Sequence, residues 1–263
     1  MRFSDHLVVV RGGGDLGTGV VARLHRAGFP VAVLELPEPL AIRRRVAVAA
    51  AVLDGETVVE DVVARAVATV DEARAVASSG EVAVLVGADP ASLRPEVLVD
   101  ARMAKRNLGT SIDQAPLVVA LGPGFTAGID CHAVVETKRG HHLGRVLWEG
   151  RAAPDTGEPG MVGGKAAERV VRAPGDGVVA WHVEIGDDVT AGQPLGAVGD
   201  GVVAAPIDGV VRGLIQPGRD VTAGLKIGDV DPRGEPGASF EISDKALAVG
   251  GGVLEAVLTH LNR

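Results

Sequence analysis

The feature that most constrains this chain is an internal repeat. Residues 173–192 read APGDGVVAWHVEIGDDVTAG and residues 205–224 read APIDGVVRGLIQPGRDVTAG. The offset is 32 with no gap, and 12 of 20 positions are identical. Each copy holds an Asp-Gly turn, a Val-Val strand, a Gly turn and an Asp-Val-Thr-Ala-Gly segment. A unit this short cannot bury its own apolar face, so the two copies must pack together. Equal spacing predicts one small pseudo-two-fold β sandwich. Val178-Val179 and Val210-Val211 then fall in equivalent strands, and Gly186 and Gly218 in equivalent turns. Asp-Gly is a favoured tight-hairpin dipeptide, which predicts an exposed tip at Asp200-Gly201.

The arrangement over 173–230 resembles the lipoyl/biotinyl fold. In the carrier proteins of that fold a lysine sits at the hairpin tip between the halves. Here the tip is Gly199-Asp200-Gly201, and no lysine lies between Gly192 and Ala205. Lys226 sits in the second half, away from the tip. The expectation is no attached lipoate or biotin, and a structural or docking role for the module.

The N-terminal part has a different grammar. Leu7-Val8-Val9-Val10 is a continuous apolar run, as in a strand buried on both faces. Gly12-Gly13-Gly14-Asp15-Leu16-Gly17 follows, then a helical pattern to a stop at Gly28. Val31 to Leu36 reads as a second strand, ended by Pro37 and Pro39. This is one βαβ unit. Residues 57–77 are predicted helical, with Val58, Val59, Val62, Val63, Ala66 and Val67 as the buried stripe. Residues 81–86, 96–99 and 117–121 are further short strands, and 129–149 reads as a hairpin turning at 138–140. Alternating strands and helices argue for a parallel sheet. Residues 150–165, rich in Gly and Pro, mark a boundary or a functional loop. A C-terminal helix is expected over 244–262, capped by Ser243 or Asp244. Gly250-Gly251-Gly252 in its middle predicts a break or a close backbone approach. The fold class is therefore α/β: a Rossmann-like parallel-sheet domain over 1–165, the lipoyl/biotinyl-like β domain over 166–232, and an extension with a helix over 233–263.

Composition narrows the function classes. The 263 residues carry a net charge of −8 and a pI near 5.4, so the basic face of a nucleic-acid binder is not expected. One cysteine, Cys131, excludes an internal disulfide framework and a multi-cysteine zinc site. No signal-peptide core precedes the first strand, and no apolar run approaches the roughly 20 residues that span a bilayer. The expectation is a soluble cytoplasmic protein, with neither nucleic acid nor membrane as partner.

Three constellations could carry chemistry. In the first, Gly12-x-Gly14-x-x-Gly17 lies between a strand and a helix, with Glu35 at the end of the next strand. Glycines there let the backbone approach a pyrophosphate at a helix N-terminus, and the acid can accept from ribose hydroxyls. Gly12, Gly13, Gly14, Asp15, Gly17 and Glu35 are thus candidate cofactor-binding residues. The competing reading is a Gly-rich turn that holds nothing. Asp15 would repel a pyrophosphate unless it caps the helix and points away. Arg43-Arg44-Arg45 could hold a further phosphate or simply face water. In the second, Gly122-Pro123-Gly124-Phe125-Thr126-Ala127-Gly128 directly follows a strand. Gly122, Gly124 and Thr126 could line a second anion nest, or form a structural turn. In the third, a strand over 129–137 would put Asp130, His132 and Glu136 on one face and Cys131 on the other. That could be a catalytic carboxylate–His acid/base pair, a weak metal site, or an ordinary polar hairpin face. Its spacing matches no strong metal signature, so no metal is expected.

Taken together the chain resembles accessory proteins of the selenium-dependent molybdenum hydroxylase system. The resemblance rests on Val10-Arg11-Gly12-Gly13-Gly14-Asp15-Leu16, on Lys105-Arg106-Asn107-Leu108-Gly109-Thr110, and on Ala120 through Gly128. It continues through His132, Glu136-Thr137, Arg139-Gly140-His141, Leu143-Gly144, Ile227 through Gly234, and Ile242-Ser243-Asp244-Lys245. It implies a part in maturing xanthine-dehydrogenase-type enzymes and transfers no site residues. The expected ligand is a dinucleotide-type cofactor, NAD(P) or a molybdopterin dinucleotide. The expected partner is the hydroxylase or its maturation machinery, with self-association open. Two alternatives stand: an NAD(P)-dependent enzyme acting on a small selenium or sulfur species, and a ligand-free docking protein. The scarcity of aromatic rings for stacking a flat pterin or nicotinamide leans toward the last.

Overall fold

The structure is a computed structural model and describes residues 3–155, 157 and 160–263. It is a mixed α/β protein that divides into two compact units. The α/β unit comprises residues 1–39, 47–156 and 242–263, and the β unit residues 40–46 and 157–241.

In the α/β unit the strands are β1 (Val8–Arg11), β2 (Val31–Glu35), β3 (Glu56–Val59), β4 (Val62–Val67), β5 (Val82–Val86), β6 (Val97–Asp100), β7 (Leu117–Leu121), β8 (Ala133–Val135) and β9 (Val146–Leu147). They form one nine-stranded sheet in the order β3-β4-β5-β2-β1-β6-β7-β8-β9. The inner strands β4 to β8 are parallel, and β3 and β9 close the two edges antiparallel. The helices are α1 (Asp15–Arg26), α2 (Ala51–Asp54), α3 (Val70–Ser79) and α4 (Asp244–Leu261). Strands β1, β5 and β7 are valine- and leucine-rich, as sheet buried on both faces requires.

The helix expected over 57–77 is instead β3, β4 and the start of α3. Five valines over 58–67 favour strand, where branched side chains pack well. Glu60 takes a left-handed φ of 55° at the turn, and Val59 pairs with Val62 across it. The true helix start was signalled by Thr69 and Glu72. The Thr69 side chain accepts from the Glu72 backbone N–H, and the Glu72 carboxylate accepts from Ala68 N.

The segment 233–263 is not a separate extension, because residues 242–263 fold into the α/β unit. Ser243 caps α4, accepting from Ala246 N. The helix runs unbroken through its three glycines because they let it approach its neighbours. A Cβ on Gly250 would overlap the Gly19 carbonyl of α1, and a Cβ on Gly19 would overlap that of Ala246. On its other side, a Cβ on Gly252 would overlap the Gly144 carbonyl. Of the two expectations for these glycines, the close approach is the one realised.

The β unit contains β10 (Val170–Arg172), β11 (Gly177–Trp181), β12 (Asp188–Val189), β13 (Pro194–Val198), β14 (Gly201–Ala204), β15 (Gly209–Leu214), β16 (Asp220–Val221) and β17 (Lys226–Asp231). They form two four-stranded sheets, β10-β17-β15-β12 and β14-β13-β11-β16. Adding 32 to a residue number exchanges one half for the other. The hydrogen bonds follow the same rule: Gly192 N donates to Ala205 O and Gly224 N to Ala173 O, both at 2.9 Å. Gly186 N donates to Val211 O and Gly218 N to Val179 O, both at 2.8 Å. The core pairs off likewise, with Val171 and Val203, Leu195 and Ile227, and Val198 and Val230 all buried together. The repeat extends further back than 173, since β10 and β14 are themselves equivalents. The tip is Gly199-Asp200 rather than Asp200-Gly201, because Val198 pairs with Gly201 and Gly199 takes a φ of 53°.

The boundary expected near 165 falls inside the β unit. Of the Gly/Pro-rich segment 150–165, residues 156, 158 and 159 lie outside the described residues. Among the described residues no helix is long and apolar enough to cross a membrane.

Candidate functional site at the C-terminal edge of the parallel sheet

Strand β1 has β2 on one side and β6 on the other. The loops leaving β1 and β6 therefore part at a reversal of strand order, where open α/β sheets bind ligands. The glycine-rich turn Gly12–Gly17 lies at this point. Gly12 takes a φ of 97°, and a Cβ there would lie 3.1 Å from the Arg102 backbone. A Cβ on Gly17 would overlap the Gly12 carbonyl, so Gly17 lets α1 close onto the turn. Gly14 differs from both, since a Cβ there meets nothing within 4 Å.

Gly14 is the N-cap of α1, and no side chain caps the helix. Asp15 is the first helical residue, one position too late for the capping role suggested for it. Gly13 N donates to the Glu35 carboxylate at 2.7 Å, and Leu36 N to its other oxygen at 2.8 Å. The Gly13 carbonyl accepts from Ala49 N at 3.0 Å and from the Thr18 hydroxyl at 3.1 Å. The turn is thus pinned by Glu35 and by Val48 and Ala49, with Gly14 open. Arg43, offered as a second phosphate ligand, is buried in the β unit and donates to the carbonyls of Ala238 and Glu241.

The second glycine turn is closed at Gly122 and Gly124. Gly122 has a φ of 69°, and a Cβ there would overlap the Thr137 hydroxyl. Gly124 has a φ of 109°, and a Cβ there would lie 2.6 Å from Arg106 N. Thr126 N donates to Asp130, and the Thr126 hydroxyl accepts from Arg151. These contacts fix the turn against the loop that follows β6.

Only residues 133–135 of the expected strand 129–137 are extended in the sheet. A tight turn in which Gly128 N donates to Cys131 O replaces its first part. Asp130 receives Thr126 N and the Asn107 amide. The Nδ1 of His132 accepts from Val118 N at 3.0 Å, and burial together with the charge of His260 lowers its pKa. Glu136 is buried and accepts from Lys138 N and Ala153 N, both at 2.7 Å. Each of the three serves the backbone, and no hydrogen bond joins them to one another. Cys131 is buried, and burial beside Asp130 pushes its thiol up to about 12, so no thiolate forms at neutral pH.

A cluster that sequence reading passed over lies where β6 ends. Asp100 is buried and is gripped by Arg102, whose backbone N–H, Nε and Nη2 all donate to it. The Thr110 hydroxyl donates to Asp100 at 2.6 Å and accepts from Arg11 at 2.9 Å and from Arg102 at 3.1 Å. Burial pushes the Asp100 pKa up, but the hydrogen bonds from Arg102 and Thr110 outweigh it, and the net shift is downward. The signal was an acid ending an apolar strand with Arg two positions on. Met103 and Lys105 in the following loop hold left-handed φ values of 55° and 61°, uncommon for residues with side chains. Near the start of α1, Lys245 of α4 is half-buried. Burial and then Arg139 lower its pKa, partly offset by Asp15 and Glu136.

A cavity of about 900 Å³ opens at the opposite edge of the sheet, lined by residues including Arg74, Arg94, Glu96 and Asp113. It faces the N-terminal ends of the strands, where a strand-end ligand would not lie. Its lining charges are mixed, Arg74 and Arg94 standing with Asp5, Glu96 and Asp113. Among the described residues no group of three or more His, Cys, Asp or Glu side chains could hold a metal ion.

No protein-family profile matches the chain. It is 49% identical over 262 residues to the uncharacterized protein YqeB of Escherichia coli (strain K12), covering 98% of this chain and 48% of that one. The chain therefore spans about half the length of this relative. Among solved structures it is similar to the product-bound ectoine utilization protein EutE (DoeB) of Ruegeria pomeroyi. There the identity is 16%, the TM-score 0.24, and the coverage 85% of this chain and 56% of that one. A succinylglutamate desuccinylase/aspartoacylase of Rhodobacter sphaeroides gives 17% and 0.27, over 86% and 84%. Both likenesses are too slight to inform fold or site.

Proposed function

We propose that the α/β unit is a Rossmann-like binder of a nucleotide-type ligand, NAD(P) or a molybdopterin dinucleotide. The resemblance set out from the sequence implies a part in the maturation of a molybdenum hydroxylase, and the cytoplasm is the compartment this reading takes. The observation that carries the reading is the open Gly14 at the point where strand order reverses, at an uncapped helix N-terminus with Glu35 pinned beside it. Backbone N–H groups there can meet phosphate oxygens, and Glu35 can meet ribose hydroxyls. Asp130, His132 and Glu136 are engaged with the backbone, so the reading is binding rather than catalysis. The β unit, lipoyl/biotinyl-like in its exchanged halves and without a carrier lysine, is then the docking module for the hydroxylase.

Titration calorimetry of the chain with NAD+, NADP+ and nucleoside diphosphates tests this. Wild type binds at least one of them, and Gly14→Val, whose branched side chain would occupy the open space, binds none. Equal affinity in the two proteins would remove the site. One observation favours the ligand-free docking alternative: both oxygens of Glu35 already accept backbone N–H groups. Under that reading wild type binds no nucleotide and shows no rise in melting temperature with any of them.

A further inference from the structure

Two guanidinium groups meet at one hydroxyl where β1 and β6 end. Arg11 and Arg102 both donate to the Thr110 oxygen, which itself donates to Asp100. Arg102 is fully engaged. Its Nε and Nη2 grip Asp100, and its Nη1 donates to the Leu108 carbonyl. Arg11 is not. Only its Nη1 is held, by a neutral oxygen, and among the described residues no carboxylate comes within ion-pair distance of it. Arg11 is a half-buried cation pressed by Arg102, and the charges of Asp100 and Asp89 offset this only from beyond ion-pair distance, so its fork is left without a direct anionic partner. Its remaining donors form the planar fork that matches phosphate oxygens.

Position adds to the argument. Arg11 immediately precedes the Gly12–Gly17 turn, and its Cα pairs with that of Asp100 across the reversal point. The loop that supplies Arg102 and Thr110 is held rigid. Asn107 bridges it to Asp130, and Gly124 presses against Arg106. The two left-handed residues, Met103 and Lys105, lie in the same loop.

We propose that Arg11 contacts a phosphate of the bound ligand, and that Asp100, Arg102 and Thr110 are positioning residues that aim it. The proposal rests on the nucleotide reading above and deepens it. It makes the ligand a phosphate-bearing one that crosses from the glycine turn toward the loop after β6.

The test titrates inorganic pyrophosphate, ADP and adenosine into the full chain as wild type, Arg11→Gln, Arg11→Lys and Thr110→Val. Wild type should bind pyrophosphate, and ADP more tightly than adenosine. Arg11→Gln should weaken pyrophosphate and ADP about tenfold or more and leave adenosine unchanged. Arg11→Lys, which keeps the charge and loses the fork, should fall between, and Thr110→Val should weaken ADP less than Arg11→Gln. Melting curves check that the variants fold, and Arg11→Lys decides the matter if Arg11→Gln does not. Pyrophosphate binding unchanged in Arg11→Gln, or ADP and adenosine weakened equally, would overturn the proposal. Arg11-dependent binding of pyrophosphate without binding of any nucleotide would sink the nucleotide reading alone. No binding of any probe by wild type would overturn both.

Discussion

The same three-residue device ends a strand in each unit, and the two copies are completed differently. Asp100-Ala101-Arg102 closes β6, and Asp231-Pro232-Arg233 closes β17. In both, the arginine folds back onto the acid two positions earlier. Its backbone N–H donates at 3.1 Å, and its Nη2 donates to the second carboxylate oxygen at 2.6 Å. In both, a second arginine arrives from the neighbouring strand. Arg212 of β15 pairs directly with Asp231 at 2.9 Å and is itself buried. Arg11 of β1 meets Thr110 instead. One carboxylate thus serves two arginines in the β unit, while in the α/β unit it serves one directly and reaches the other through a hydroxyl. The lesson is that an arginine near a buried acid is not structural by proximity. What counts is whether it shares the carboxylate.

The largest effect is expected from Asp231→Ala. It would leave Arg212 buried without its carboxylate and take the same partner from the exposed Arg233, and breaking a buried pair costs about 3–5 kcal/mol. Urea denaturation reads this as a lower midpoint at an unchanged slope. Asp100→Ala removes one directly paired arginine and should cost less, about 2–3 kcal/mol by the same reasoning. If Asp100→Ala costs as much as Asp231→Ala, Arg11 depends on Asp100 as closely as Arg212 depends on Asp231, and the contrast fails.

Acid titration sharpens the same contrast. Burial pushes Asp231 up, but Arg233 and Arg212 outweigh it and hold it down at about 2. An acid whose folded pKa lies below its unfolded value near 3.9 adds stability above that unfolded value. The contribution is lost as pH falls through the folded pKa. The stability gap between wild type and Asp231→Asn should therefore be full at pH 5 and shrink between about pH 4 and pH 2. A gap constant down to pH 2 would mean that the carboxylate charge is not what Asp231 contributes.

The comparison also marks what the sequence could tell. The parallel strands were legible because a strand buried on both faces must read as an unbroken apolar run, and Val8 to Val10 and Leu117 to Leu121 do. The exchanged halves of the β unit were legible because the repeat carries no insertion. The stretch 57–77 was misread because valine at positions 58, 59, 62, 63 and 67 satisfies a helical stripe and a pair of strands alike. Glu60 gave no warning of a left-handed turn. Gly12, Gly14 and Gly17 could be found from their spacing, whereas the closure of the second turn at Gly122 and Gly124 depends on Thr137 and Arg106, which no local pattern brings to it. Arg11, Asp100 and Thr110 come together only through strand pairing, 89 and 10 residues apart along the chain. Burial of a lone acid at a strand end was the only local sign.

The smallest stability effect, and the sharpest test of the contrast, is Arg11→Gln set beside Arg212→Gln. Arg212 is buried against Asp231, and Arg43 already presses on its charge. Glutamine there loses an ion pair and leaves a shortened side chain in a packed site, at a cost of about 2–4 kcal/mol. Arg11 is half-buried, and among the described residues its hydrogen-bond partner is a single hydroxyl. Burial and then Arg102 lower its pKa while Asp100 and Asp89 act the other way, so removing its charge relieves burial and a repulsion as well as breaking a hydrogen bond and losing two longer-range attractions. These two changes oppose each other, and the net effect should stay within about 1 kcal/mol. Urea midpoints measured on both variants under one set of conditions decide between the roles. Comparable losses would make Arg11 a second Arg212, a structural charge that happens to lie beside the glycine turn. A small loss for Arg11→Gln and a large one for Arg212→Gln would leave Arg11 as the arginine whose charge the folded chain does not use for its own stability.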